Sequence, residues 1–291
     1  MKKFKKAYIE ITNVCNLACD FCPRTQRPGR FMSRDIFIKI LEQLRGCTHH
    51  LRFHVLGEPL VHPDLGLFLE LCHEHGYRVT ITTNGVLIDR AGLLLLAQPA
   101  LRQVNFSLHC AESNKVLFSP DAYLGNIFCF IDEARKNKNI HISLRLWNAG
   151  NTADQEKNFY ILHSIEKKFG LAYSLKQQLT GQAKIKLADA VFLNQAEHFL
   201  WPDINGKDFG GHGFCLGLRD HIAVLVDGTV VPCCLDSEGV INLGNINKNP
   251  FSAIVTGSRA RNLYDGFSRR AAVEPLCRRC GYRLRFTRLP P

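Results

Sequence analysis

The chain has 291 residues, 46% of them apolar, and carries 37 Lys and Arg against 26 Asp and Glu, for a formal charge of +11. That length accommodates one large domain, or one of about 200 residues with a smaller appendage, and the charge suits an anionic partner such as a phosphorylated substrate, an acidic peptide, RNA or an acidic electron donor. The strongest apolar run, residues 91–97, is far short of the roughly 20 that span a bilayer, and the opening Met-Lys-Lys-Phe-Lys-Lys precedes a strand pattern with no signal-peptide core; no membrane association and a cytoplasmic protein with reduced cysteines are therefore expected.

Apolar alternation predicts strands over 7–12, 51–56, 78–83, 102–108, 141–146 and roughly 171–177. Helical periodicity falls between them, near 33–45, 64–75, 89–97, 121–136 and 154–169, with Ser33, Asp64, Asp121 and Asp154 as N-cap or first-turn residues. Six strand-helix units in succession predict an α/β fold with a parallel sheet, crossover helices outside it and functional loops at the C-terminal ends of the strands. After residue 205 the composition turns to Gly-rich loops and cysteines, dividing the chain into 1–205 and 206–291. Asp227-Gly228 predicts a hairpin turn between 222–226 and 229–232. The arginines at 269, 270, 278, 279, 283, 285 and 288 read mostly as a solvated face. No internal repeat and no RRM or zinc-knuckle signature is present, so a stable nucleic-acid complex is not expected.

Cys15, Cys19 and Cys22 follow the first strand in the spacing Cys-x-x-x-Cys-x-x-Cys, with Phe21 just before the last. Three thiolates from one short loop can hold three irons of a 4Fe-4S cluster and leave the fourth open to a small ligand. Zinc would more commonly take two well-separated pairs than a triplet. The spacing resembles the signature of the radical SAM superfamily. That resemblance implies a partial (β/α)6 TIM-like barrel, S-adenosylmethionine as cofactor, its reductive cleavage to a 5'-deoxyadenosyl radical, and a flavodoxin- or ferredoxin-type electron donor.

Further residues at strand ends carry the resemblance. Gly57-Glu58-Pro59 resembles a Gly-Gly-Glu motif that receives the amino group of the cofactor, with Leu56 in place of the first glycine; a surface turn has the same composition. Thr83-Asn84-Gly85 is similar to the family's Thr-Asn-Gly turn, and Ser107 and Arg145 stand where ribose or carboxylate contacts are expected. The resemblance thus assigns Phe21, Gly57, Glu58, Asn84, Ser107 and Arg145 to the cofactor. His109, Trp147 and Asn148, at the same rim, go to the substrate, although a hydrogen-bonded structural role is open for His109.

Cys215, Gly228 and Cys233, followed by Cys277-x-x-Cys280, resemble the SPASM/twitch extensions of the same superfamily. The short C-terminal part matches the twitch form, of the kind found in aminocyclitol dehydrogenases, and implies one auxiliary 4Fe-4S cluster on Cys215, Cys233, Cys277 and Cys280; structural zinc is open there too. Cys234 competes with Cys233, which is preferred on motif spacing because neighbours in a strand point oppositely. Cys47, Cys72, Cys110 and Cys129 read as small core residues. The leading expectation is a radical SAM oxidoreductase or lyase acting on an anionic small molecule, with a queuosine-phosphate-type nucleotide and release of queuine as one candidate reaction. A peptide- or sulfatase-modifying enzyme is the runner-up, and a zinc or iron-sulfur binding module the non-enzyme alternative.

Overall fold

The computed structural model describes residues 2–23, 25–110, 119–137, 140–149 and 158–286. Five strands and their helices alternate from the N-terminus: β1 (Lys6–Ile9), α1 (Arg34–Gln43), β2 (His50–Phe53), α2 (Leu65–Glu74), β3 (Arg78–Thr83), α3 (Ile88–Ala97), β4 (Leu101–Ser107), α4 (Pro120–Asn137), β5 (His141–Ala149) and α5 (Phe159–Phe169). A short helix α6 (Leu175–Leu179) precedes the hairpin β6 (Lys184–Ala188) and β7 (Val191–Glu197). The later strands are β8 (His221–Val224), β9 (Thr229–Val231) and β10 (Gly244–Asn245). All ten form one sheet in the order β10-β9-β8-β1-β2-β3-β4-β5-β7-β6.

Strands β1 to β5 and β7 run parallel, which gives the six-stranded half barrel expected. Its sixth strand is not at 171–177, where the structure has α6, but at β7. Ser174 caps α6 by accepting from the Gln177 amide, and a Ser with Gln three residues later is a helix-start pattern that outweighs a brief apolar alternation. The true strand is reached through a hairpin whose other arm, β6, pairs antiparallel at the edge. Ser33 caps α1 as expected, while Asp64 makes no side-chain cap bond. Residue 154, expected to open α5, lies outside the described residues.

The strands separate two chemistries by their period of two. Toward the helices they send Ile9, Phe53, Ile81, Val104 and Leu144, all buried. Phe37 of α1 stacks on Phe68 of α2 at 4.0 Å and meets Phe53 edge-on at 5.8 Å, each such burial contributing roughly 1.5 to 3 kcal/mol. The alternate positions face the concave side and are polar: Asn105 donates to Thr82 Oγ1 at 3.0 Å, Gln103 to Asn105 Oδ1 at 2.7 Å, and Asn194 to Ser143 Oγ at 2.8 Å. A polar inner wall leaves room for a ligand where a closed barrel would pack side chains. No helix among the described residues is long and apolar enough to cross a membrane.

The C-terminal region is continuous with this sheet, because β8 pairs parallel to β1 from Lys6↔His221 to Ile9↔Val224. The predicted hairpin forms, and at its turn Gly228 has φ +86 while a Cβ there would lie 2.8 Å from Asn247 Nδ2. Asp227 Oδ1 accepts from the Thr229 amide at 3.0 Å. The arginine run is not uniformly solvated. Arg283 is 1% exposed and donates to the carbonyls of Cys277 (3.0 Å), His212 (2.6 Å) and Gly210 (2.8 Å). Arg285 donates to the Glu197 carbonyl, Arg278 pairs with Asp208, and residue 288 lies outside the described residues.

Gly213 makes room for Arg283: its φ is +150 and a Cβ would fall 2.0 Å from Arg283 Nη1. Gly213→Ala should displace the guanidinium and lose charge-assisted bonds worth about 1.5 to 3 kcal/mol each. The expected outcome is a loss of about 3 kcal/mol in urea unfolding and early proteolysis after residue 205; unchanged unfolding would refute the role given to Arg283.

Candidate functional site

The cysteine loop is tied at its base by the residues that follow β1. Thr12 Oγ1 donates to the Arg30 carbonyl at 2.8 Å and accepts from the Val14 amide at 3.0 Å. Asn13 donates to the Pro28 carbonyl at 3.0 Å and accepts from the Arg30 amide at 2.7 Å. Arg27 forks onto buried Glu10 at 2.8 and 2.6 Å, and the same carboxylate accepts from the Val226 amide beyond β8 at 3.0 Å. Burial pushes the Glu10 carboxyl up, opposed by Arg27.

Above this base the Leu17 amide donates to Cys15 Sγ at 3.5 Å, and the Cys22 amide to the Cys19 carbonyl at 3.2 Å. Burial, then the neighbouring Cys19 and Cys15, pushes the Cys22 thiol up to about 11. Burial also pushes the Cys15 thiol up, and an all-sulfur set with an amide donor suits an iron-sulfur cluster, whose charge would favour the thiolates. Cys110, expected in the core, is buried but hydrogen-bonds through its side chain with Cys19, a contact no spacing in the sequence signals. Cys47 and Cys72 are buried and Cys129 is exposed.

Gly57 and Glu58 hold the loop from β2. Gly57 has φ +72, and a Cβ there would lie 2.4 Å from the Thr12 carbonyl oxygen and 2.8 Å from that of Val14. The Glu58 amide donates to the Val14 carbonyl at 2.9 Å. The Glu58 side chain, 2% exposed, accepts from the Leu60 amide (3.0 Å), Thr83 Oγ1 (2.7 Å) and the Asn84 amide (2.7 Å). Burial raises its pKa to about 7 against those three donors. Asn84 then donates to Asn16 Oδ1 at 2.8 Å and approaches Cys15 Sγ at 3.9 Å. These three residues therefore meet at the cysteine loop, and Glu58 sits inside the clamp instead of presenting an open carboxylate.

The other strand ends build two surfaces. Phe21 lies 4.7 Å from His109 and 6.0 Å from Trp147, and Trp147 continues to His198 and Phe199, both at 4.6 Å. His109 and Trp147 are thus part of an aromatic wall beside the thiols; burial pushes the imidazole of His109 down to about 4, leaving it neutral at pH 7. The side chain of Asn148 lies outside the described residues. Ser107 pairs in register with Arg145. Solvent reaches Arg145 within the concavity, where Arg52, Tyr8, Tyr282 and Cys234 surround it.

The second cysteine set converges from three segments. Cys233 follows β9, Cys277 lies in the helix Pro275–Arg278, and the Cys280 amide donates to the Cys277 carbonyl at 3.3 Å. Burial pushes the thiols of Cys215, Cys233 and Cys277 up, and the charge of the neighbouring thiols adds to it. Amides of Gly217 and Arg283 donate to Cys215 and Cys280 respectively. Four sulfurs without nitrogen or oxygen ligands fit an iron-sulfur cluster. Cys234 hydrogen-bonds with Tyr8 on the concave side instead. Among the described residues no group of three or more His, Cys, Asp or Glu is arranged to hold a single metal ion.

Comparisons with known proteins agree with this geometry. Residues 9–142 match the model of the radical SAM superfamily and residues 215–281 that of an iron-sulfur cluster-binding domain, SPASM. A tungsten-containing aldehyde ferredoxin oxidoreductase cofactor-modifying protein of Pyrococcus furiosus is 32% identical over 108 residues, 36% of this chain and 30% of the relative. GTP 3',8-cyclase of Chlorobaculum tepidum is 34% identical over 112 residues, 37% of this chain and 33% of the relative. The matches thus span about a third of these relatives' length. In fold the chain is similar to BtrN in complex with AdoMet and 2-DOIA (TM-score 0.53, 17% identity, 96% of this chain and 94% of that one). It is also similar to SuiB of Streptococcus suis bound to its precursor peptide SuiA (TM-score 0.60, 14% identity, 97% and 72%). With a three-thiol loop clamped over a half barrel and four more thiols gathered in the C-terminal region, the chain carries a radical SAM domain over residues 9–142 and an iron-sulfur cluster-binding SPASM domain over residues 215–281, and the cofactors of those domains are S-adenosylmethionine and 4Fe-4S clusters.

Proposed function

We propose that this chain cleaves S-adenosylmethionine reductively and abstracts a hydrogen atom from an anionic small molecule held in the concave face of the half barrel. When bound at a 4Fe-4S cluster with one open iron, S-adenosylmethionine supplies a 5'-deoxyadenosyl radical on one-electron reduction. Cys15, Cys19 and Cys22 hold that cluster, and Cys215, Cys233, Cys277 and Cys280 hold an auxiliary one that relays electrons and staples residues 206–291 to the barrel of residues 1–205. Gly57, Glu58 and Asn84 fix the loop, Ser107 and Arg145 take the cofactor's polar end, and Phe21 with His109 and Trp147 screens the site from water. A flavodoxin- or ferredoxin-type protein donates the electron.

The observation that carries the reading is the cysteine loop held by Glu58 and Asn84 above a wall that presents Arg145 and Arg52. The nucleotide in the name of the GTP 3',8-cyclase relatives supports an anionic substrate. A queuosine-phosphate-type nucleotide has that chemistry and is the first substrate to assay. Reconstituted protein incubated in parallel with phosphorylated nucleosides, other phosphorylated small molecules and ribosomal peptides, with 5'-deoxyadenosine release scored for each, tests it. Release stimulated by peptides alone would overturn the small-molecule assignment.

Cys19→Ala should abolish 5'-deoxyadenosine formation while leaving an auxiliary cluster visible by Mössbauer or EPR spectroscopy; near-wild-type cleavage would sink the central claim. Cys277→Ala with Cys280→Ala should lower iron by about half, taking two 4Fe-4S sites as the start, and reduce product more than cleavage; lost zinc with unchanged iron would count against an auxiliary cluster. Glu58→Gln keeps the shape but brings an NH2 group against donors, losing at least one contact worth about 1.5 to 3 kcal/mol. Its S-adenosylmethionine affinity should fall roughly ten- to hundredfold with auxiliary iron retained, as equilibrium dialysis and iron analysis will measure.

A further inference from the structure

Below the level of Arg145 the concave face holds a second group of cations that the cofactor does not account for. Tyr8 and Arg52 are register partners on β1 and β2, and Lys6 is the register partner of His221 on β8. The Lys6 ammonium lies 5.6 Å and the Arg52 guanidinium 5.9 Å from the centre of the one Tyr8 ring. Both side chains are partly buried, and among the described residues neither forms an ion pair. Asp220, the carboxylate whose charge reaches Lys6, is bonded at 2.7 Å to the exposed Lys5.

The walls around these cations are neutral hydrogen-bonding groups. His221 meets the Tyr8 ring edge-on at 5.6 Å and His54 lies 6.0 Å from it. Burial pushes both imidazoles down, His221 to about 4 and His54 to about 3, so each is an uncharged ring at pH 7. Tyr8 also engages Cys234 from the C-terminal region. Two like charges held beside one aromatic ring, without a carboxylate, repel each other and disfavour the empty site. An anion placed between them reverses that sign.

We infer that Lys6, Arg52 and Tyr8, flanked by His54 and His221, form an anion pocket that binds the phosphate group of a phosphorylated substrate. A dianionic phosphate matches two fixed cations, with the imidazoles available to its remaining oxygens, whereas a carboxylate would leave one cation uncompensated. This assignment rests on the proposed anionic substrate and deepens it to a phosphate monoester, whose reacting carbon lies toward the cysteine loop and whose phosphate lies toward the start of β1.

The test uses the reconstituted full-length protein at low ionic strength, with inorganic phosphate as probe and calorimetry or 31P line broadening as readout. Phosphate should bind the wild type, and more tightly than acetate. Arg52→Gln and Lys6→Gln should each weaken it about ten- to hundredfold, Arg52→Lys should retain most of it, and Lys186→Gln, on the opposite edge strand of the sheet, should change nothing. Iron content and circular dichroism establish that the variants are folded. Equal phosphate affinity in wild type, Arg52→Gln and Lys6→Gln, no measurable phosphate binding, or acetate binding as tightly as phosphate would each overturn the pocket. Cleavage of S-adenosylmethionine by the wild type alone is measured on the same sample: its absence beside normal phosphate binding would fault the proposed reaction and leave the pocket standing.

Discussion

A carboxylate buried under the sheet's C-terminal end organises this molecule. Glu58 has almost no solvent to satisfy it, so its oxygens must be met by donors, and the available ones are the Leu60 amide, the Thr83 hydroxyl and the Asn84 amide. Meeting that requirement draws the end of β3 against the turn after β2. The Glu58 amide, through the Val14 carbonyl, and the Asn84 side chain, through Asn16, then pass the constraint to the segment that carries Cys15. Three loops become one rigid platform because a single acid has no other way to be buried. The left-handed Gly57 allows the backbone contact, since any Cβ would strike the Thr12 and Val14 carbonyls.

Beneath the platform the half barrel divides labour between its faces. The outer face spends its apolar residues on helices, and the inner one keeps amides, hydroxyls and cations that would be costly in a sealed core. Phe21, His109, Trp147 and Phe199 line one flank with rings. Such a wall lowers the local dielectric beside the thiols, which strengthens every charge interaction made there.

Much of this was legible in the sequence. The cysteine spacings and the Asp227-Gly228 turn depend on neighbouring residues, so they can be read locally, and the five N-terminal strands have alternation strong enough to place them. The sixth strand was missed because Ser174 and Gln177 start a helix inside a segment of mixed apolar character, while β7 lies behind a hairpin that the strand-helix rhythm does not foretell. Glu58 was visible as a functional motif but not as a buried clamp, because its donors come from residues 83 and 84 and only the parallel pairing of β2 with β3 brings them together. Cys110 and the Lys6–Tyr8–Arg52 group have no sequence signature for the same reason: they meet across strands.

The parallel pairing of β8 with β1 carries a consequence for how the chain can be divided. β1 is the first strand of the barrel and also an interior strand of the whole sheet, since β2 and β8 flank it. Removing the C-terminal third would strip one side of β1 and expose a row of free amides and carbonyls directly beneath the cysteine loop, together with the apolar residues Ala7 and Ile9. An uncovered edge of that kind seeks another strand, and a second copy of the fragment would be the nearest source. The C-terminal region is therefore the barrel's missing border, and a fragment ending near residue 205 is a template for aggregation.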